Sequence, residues 1–413
     1  MLAAMVFLVS LAYGASLPLA QLYLGLYLSD TSSQALAWHV GMLGGVYTFG
    51  LFLFAPWWGR MSDARGRTPV LRWGFATFLA GTLASALAPS LPAVYLARLL
   101  AGAGAAAVMP GAQAFIADVS DAEARSRRFV LLGSAAFTGF LAGPAFGTWA
   151  AGPMMGMAIG SMPSMVNWPA VAVVLAGVLV AVALPSALDG WPLTADQPAL
   201  RRTPLPRRRF VTASMALAFF ASFATGTFEI GFSLFGGQTL GLPGRTMAVM
   251  FITCSVAMLG AQGLLLLPGV RRRIGAGWLA AAFLVSALIL AFTSFVPDAA
   301  SLALLVAAVA TSVGMIGPVL SYELLESDRS SAGSVLGRQA AAGNLGQALG
   351  SMLAGAVFGL HALAPFWSAA LALVLGAVAT LRWWGPARRD VRAGGQNGSE
   401  LRAARHAGSG TIS

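Results

Sequence analysis

Gly59-Arg60-Met61-Ser62-Asp63-Ala64-Arg65-Gly66-Arg67-Thr68-Pro69-Val70-Leu71 is a polar stretch set between two long apolar runs. Its first nine residues hold three arginines, an aspartate and two glycines, a composition that belongs at a membrane surface and not in hydrocarbon. The apolar runs on either side, 38–58 and 70–89, are each long enough to cross a bilayer. The stretch therefore reads as a tight loop joining two membrane spans.

The rest of the chain has the same character. Of 413 residues, 58% are hydrophobic and only 9% charged, and the mean hydropathy is +0.77. A water-soluble domain carries about 25% charged residues, so most of this chain faces lipid or other apolar helices. Further apolar runs lie near 2–28, 92–117, 128–152, 164–184, 210–236, 245–267, 275–296, 299–321, 332–358 and 361–384, which makes twelve predicted spans in all. The first begins at Met1 with no preceding basic residue and no small-residue cleavage site, so it reads as a span and not as a removable signal.

The basic residues give the orientation. Every one of the 25 is arginine, and 23 of them fall in alternate loops or at the C-terminal end, with Arg98 and Arg245 the exceptions. Cytoplasmic loops retain positive charge, so both termini are expected on the cytoplasmic side. The net charge of +11 then needs no nucleic-acid partner. The absence of lysine excludes a P-loop and a Schiff-base lysine. A single cysteine, Cys254, excludes a disulfide framework, and three scattered histidines, His39, His361 and His406, make no metal site. No cofactor is expected.

The longest polar interruption before the tail, from Pro185 to Arg209, sits near the middle and divides the spans six and six. The halves echo one another: Gly139 and Gly143 in the fifth span match Gly346 and Gly350 in the eleventh at an offset of 207. Weak internal repetition of this kind implies two six-helix bundles with a binding site between them at mid-membrane depth. The expected organisation is an N-terminal bundle over 1–184, a cytoplasmic central loop over 185–209, a C-terminal bundle over 210–384 and a disordered cytoplasmic tail over 385–413.

Three motifs resemble those of the major facilitator superfamily, and the resemblance covers the chain from Met1 to about Trp384. Gly59, Asp63, Gly66 and Arg67 stand at the spacing of the family's signature loop, although Ala64 and Thr68 replace basic residues common there. The resemblance implies a cytoplasmic latch that holds the bundles in the outward-facing state; Asp118, at the cytoplasmic end of the fourth span, is expected to join the arginine cluster. In the fourth span, Arg98-Leu99-Leu100-Ala101-Gly102-Ala103-Gly104 is similar to a second family motif, with alanine at 101 in place of its usual glutamine. It implies that Arg98 modulates proton release or substrate binding; a snorkelling or bracing arginine is the structural alternative. The fifth span carries Gly139, Gly143, Pro144 and Gly147, which resemble the antiporter motif of the family, with Thr148 where a further glycine is common. That motif implies export.

Of fourteen carboxylates, Glu229 is the one placed firmly inside a span. Surrounded in sequence by Phe228, Phe232 and Phe235, it is suited to taking up and releasing a proton or to pairing with a cationic substrate; a structural pair near the interface is the alternative. Tyr13, Gln21, Gln113, Thr225 and Phe232 are the further candidates for a cavity shared with Glu229 and Arg98. The resulting expectation is an all-α polytopic membrane protein, a monomeric twelve-helix secondary transporter of the bacterial inner membrane. It would exchange protons for a small amphipathic drug or metabolite by alternating access. An importer or facilitator on the same fold is the nearest alternative. A polytopic membrane enzyme is the remote one, for which no convergent nucleophile, base or metal ligands are evident.

Overall fold

The computed structural model describes residues 1–25, 27–28, 32–120, 122–157, 168–188, 208–265, 274–296, 298–327 and 332–389. The central-loop expectation over 189–207 and the tail expectation from 390 onward lie outside the described residues, as do Arg271 to Arg273 and Arg329. The described residues are helical, with no β-strand among them. In lipid a spanning segment has to satisfy its own backbone polar groups, which only a helix or a closed barrel achieves.

The first six spans are α1 (Leu2–Leu24), α2 (Ser33–Arg65), α3 (Arg67–Ala86), α4 (Leu91–Val119), α5 (Ala122–Met157) and α6 (Trp168–Leu188). The second six are α7 (Arg208–Leu234), α8 (Gly244–Leu264), α9 (Ala276–Ala291), the pair α10 (Ala299–Val313) and α11 (Ile316–Ser327), α12 (Ala332–Phe358) and α13 (Ala364–Ala379). The tenth span is thus broken, which its continuous apolar run did not reveal. Gln262 Nε2 donates to the Gly314 carbonyl at 3.2 Å and satisfies an acceptor at the break. Asp298 starts this span with a capping box, accepting from the Ser301 backbone N–H at 2.8 Å. The seventh span ends in a π-helical turn, Phe235–Thr239, and the twelfth passes through one at Thr380–Trp384.

The halves pack by one scheme used twice. α1 lies along α5 in the first, and α7 lies along α12 in the second. Glycine makes both crossings close: a Cβ on Gly139 would stand 2.3 Å from the Phe7 carbonyl oxygen, and one on Gly346 would stand 2.3 Å from that of Phe219. The two most extensive contacts between the halves are α2 with α12 and α5 with α8, and each is the other's counterpart under the repeat. Outward-facing side chains such as Trp149, Leu179, Leu304 and Leu360 are exposed, as lipid-facing residues must be.

The signature loop is shorter than its sequence implied. α2 continues to Arg65, so Gly59 is a mid-helix residue with nothing near its Cβ position, and Gly66 alone makes the turn, at φ +89°. That left-handed backbone favours glycine. The C-terminal helix likewise runs on through Arg389. Arg388 is anchored there by Glu323 of α11, through Nε at 2.6 Å and Nη2 at 2.5 Å, and also donates to the Ile274 carbonyl at 3.0 Å.

Candidate functional site

Glu229 sits on α7 with Phe228, Phe232 and Phe235 close in sequence, yet the phenylalanines do not enclose it. Phe232 is 1% exposed and packs edge-on against Phe251, while Phe228 and Phe235 both meet Phe366. Residues 228, 232 and 235 share one helical face, and Glu229 lies about 100° round from Phe228. Phe232 is therefore a core side chain of the second half and not part of the cavity wall.

What faces Glu229 is polar and comes partly from the other half. Tyr13 Oη of α1 donates to Glu229 Oε2 at 3.1 Å, and Gln347 Nε2 of α12 donates to the same oxygen at 3.3 Å and to Tyr13 Oη at 3.0 Å. The three form a closed triangle on three helices of both bundles. The Tyr13 ring continues the network into the first half, stacked on Tyr47 with centroids 5.4 Å apart and on Phe140 at 6.0 Å. The Arg98 guanidinium lies over the Tyr47 ring at 5.6 Å. Arg98, Tyr47, Tyr13 and Glu229 are thus in series, and no carboxylate pairs with Arg98 among the described residues.

Other candidates lie elsewhere. Gln21 Nε2 donates to the Ser233 carbonyl at 2.7 Å, near the end where Ser33 Oγ also bonds Gln238 Oε1 and α2 packs on α12 through Gly41 and Gly355. Gln21 belongs to this seal between the halves. Thr225 Oγ1 returns its hydrogen bond to the Ala221 carbonyl of its own helix at 2.9 Å. Gln113 is fifteen residues beyond Arg98 on α4, about 22 Å along the helix, and joins neither Arg98 nor Glu229. Gln347 and Tyr47 were missed in the sequence. Gln347 had a signal, since it is a polar residue next to Gly346 in a repeated glycine pair.

At the arginine-rich end, Arg67 binds two carboxylates of its own half: Asp63 Oδ1 at 2.5 Å and Asp118 Oδ2 at 3.0 Å. Asp63 accepts no bond from the second half among the described residues, and Arg65 turns away to stack on Trp73. The cluster ties α2, α3 and α4 together. In α5, Gly143 and Gly147 bring the backbone against α1, where added Cβ atoms would stand 2.6 Å from Ala15 N and 2.7 Å from Ala15 O. Pro144 lies between them, and its carbonyl accepts from Thr148 Oγ1 at 3.0 Å. This motif fixes the helix that carries Tyr13.

Residues 2–337 match the family model of the Major Facilitator Superfamily. The chain belongs to that superfamily. It is a membrane transporter with the twelve-span, two-bundle fold of this superfamily, not an enzyme. The chain is 24% identical over 356 residues to multidrug resistance protein 2 of Bacillus subtilis (strain 168), spanning 83% of this chain and 86% of that one. It is 37% identical over 127 residues to the class C tetracycline resistance protein of Escherichia coli, 30% of this chain and 31% of that protein. Among solved structures it superposes on a D-xylose–proton symporter with a TM-score of 0.73 at 17% identity, covering 92% of this chain and 96% of that one.

Proposed function

We propose that this transporter exports a small amphipathic compound in exchange for protons, with Glu229 as the proton carrier and both termini on the cytoplasmic side of a bacterial inner membrane. The observation that carries the reading is the triangle of Glu229, Tyr13 and Gln347, because a carboxylate there ties the two bundles together only while it accepts hydrogen bonds. Ionised Glu229 accepts strongly from both neighbours and holds α1 to α7 and α12, since charge-assisted bonds are the stronger kind. Protonation weakens both bonds at once and frees the bundles to rock about the site.

The described hydrogen bonds between the halves lie at this triangle or toward the Gln21 end, and Gly59 and Gly337 at the arginine-rich end have open space beside them. With that end cytoplasmic, this conformation is sealed outside and accessible from within. In the opposite conformation Asp63 would meet the facing end of α12 and act as the latch. Multidrug and tetracycline resistance proteins among the relatives, and the glycine-proline segment of α5, favour export over uptake.

The test is substrate-dependent collapse of a pH gradient in everted membrane vesicles, across cationic dyes, antibiotics and small metabolites, with wild type and Glu229→Gln. The reading expects at least one compound to release the gradient in wild type and not in the variant. Flux that ignores the gradient would replace it with facilitated uptake.

A further inference from the structure

A cavity lies inside the first bundle, lined by residues of α1, α2, α3, α4 and α6. Four of the six tyrosines in the chain line it, Tyr13, Tyr23, Tyr27 and Tyr47, together with Arg98, the one arginine deep in the sequence of a span. Leu19, Leu43, Phe78, Val94 and Val173 supply the apolar wall.

The polar groups there are incompletely used. Tyr13 and Tyr27 spend their hydroxyls on Glu229 and on the Ala88 carbonyl. The Tyr23 and Tyr47 hydroxyls and the Arg98 guanidinium have no hydrogen-bond partner among the described residues. Arg98 does not reach back to the membrane surface as a snorkelling arginine would; its head rests on the ring of Tyr47, which is 4% exposed. An arginine presents only donors, and a cation at membrane depth is normally paired. The cavity therefore offers a positive charge and two phenols in an apolar chamber, without the anion that would complete them.

We infer that this cavity is a binding site for a small amphipathic monoanion, a carboxylate on an aromatic or branched apolar body, with the carboxylate on Arg98 and the Tyr47 hydroxyl. It names the substrate class for the proposed transport, and rests on that reading for coupling to protons but not for binding. Tyr13 has its ring on the cavity and its hydroxyl on Glu229, so filling the chamber acts on the group that carries the proton. A cationic amphiphile is repelled by Arg98 from the same chamber.

The test is equilibrium dialysis of labelled 2-naphthoate, its neutral isostere 2-naphthamide and the cation 2-naphthylmethylammonium against the full chain in phosphatidylcholine nanodiscs. Naphthoate is expected to bind at least tenfold tighter than either analogue. Arg98→Gln should weaken naphthoate by roughly 100-fold and leave naphthamide unchanged. Tyr47→Phe, which keeps the ring under the guanidinium and does not threaten folding, should weaken naphthoate by roughly tenfold. Equal binding of naphthoate and naphthamide by wild type, or a preference for naphthoate undiminished in either variant, overturns the inference. Proton-coupled flux of a cationic dye without naphthoate binding sinks the anion site and leaves the export reading. Arg98-dependent binding in a protein with no proton-coupled flux does the reverse.

Discussion

Tyr13 Oη stands 3.1 Å from Glu229 Oε2, so the half-buried carboxylate of the second bundle is held by a phenol of the first, 216 residues away in sequence. Everything proposed about coupling follows from that bond and from Gln347, which donates to both of its partners.

Tyr13→Phe removes the bridging hydroxyl and keeps the ring that stacks on Tyr47 and Phe140. Gln347→Leu removes the other donor to Glu229. Each is expected to slow proton-driven flux by roughly tenfold, the scale of one lost hydrogen bond to a charged group, with normal amounts of protein in the membrane. The double variant should be less than additive, because the two donors share an acceptor. Strict additivity would indicate separate roles.

The seal near Gln21 gives a direct test of alternating access. In a Cys254→Ala background, Ser33→Cys with Gln238→Cys should form a disulfide under mild oxidation, since the native side chains touch. Cross-linked protein is expected to lose transport and to regain it with a reductant. Full transport with the bond in place would mean that these ends never separate.

Gly143→Val should disrupt the α1–α5 crossing, because its side chain would meet the backbone of Gly14 and Ala15. Gly350→Val should do the same between α12 and α7, where a Cβ would stand 2.2 Å from the Phe223 carbonyl oxygen. Gly133→Ala, with open space around it, is the matched control and should be neutral or slightly stabilising. Thermal unfolding in detergent separates these outcomes.

Arg388 and Glu323 form a buried pair at 12% and 5% exposure. Arg388→Met removes the guanidinium that binds both oxygens of Glu323 and is expected to cost about 3–5 kcal/mol. Adding Glu323→Leu should recover most of that loss, which a double-mutant cycle by thermal unfolding measures. No recovery would show that the Ile274 and Trp384 contacts of Arg388 matter more than the charge.

Much of the fold was legible because hydropathy reports lipid contact directly. The twelve runs, the six-and-six division and the paired glycines each correspond to helices and crossings seen here. The break at Gly314 was hidden because Gln262, from another span, satisfies a freed carbonyl and no local signal is needed. Glu323 escaped notice because the helix that holds it outruns its apolar stretch, and its partner Arg388 read as tail.

The site was half legible. Glu229 stood out as a lone carboxylate in an apolar run, but its surroundings depend on which face of α7 turns to α1 and α12. Sequence neighbours suggested phenylalanine; the 3.6-residue period turns Phe228, Phe232 and Phe235 into the core and Glu229 toward Tyr13 and Gln347. Gln21, polar in the same helix as Tyr13, proved part of the seal because it lies two turns farther along. Asp63 and Arg67 were legible as a cluster, and Asp118 joins them through Arg67 as its position at the end of the fourth span suggested.

The most direct test of the central claim compares two modes of flux in proteoliposomes for wild type and Glu229→Gln. One is substrate exchange at equal pH on both sides, and the other is net flux driven by a pH gradient. A proton carrier at Glu229 predicts that the variant keeps exchange and loses the response to the gradient. A variant whose net flux still follows the pH gradient would contradict it and place the coupling on another group.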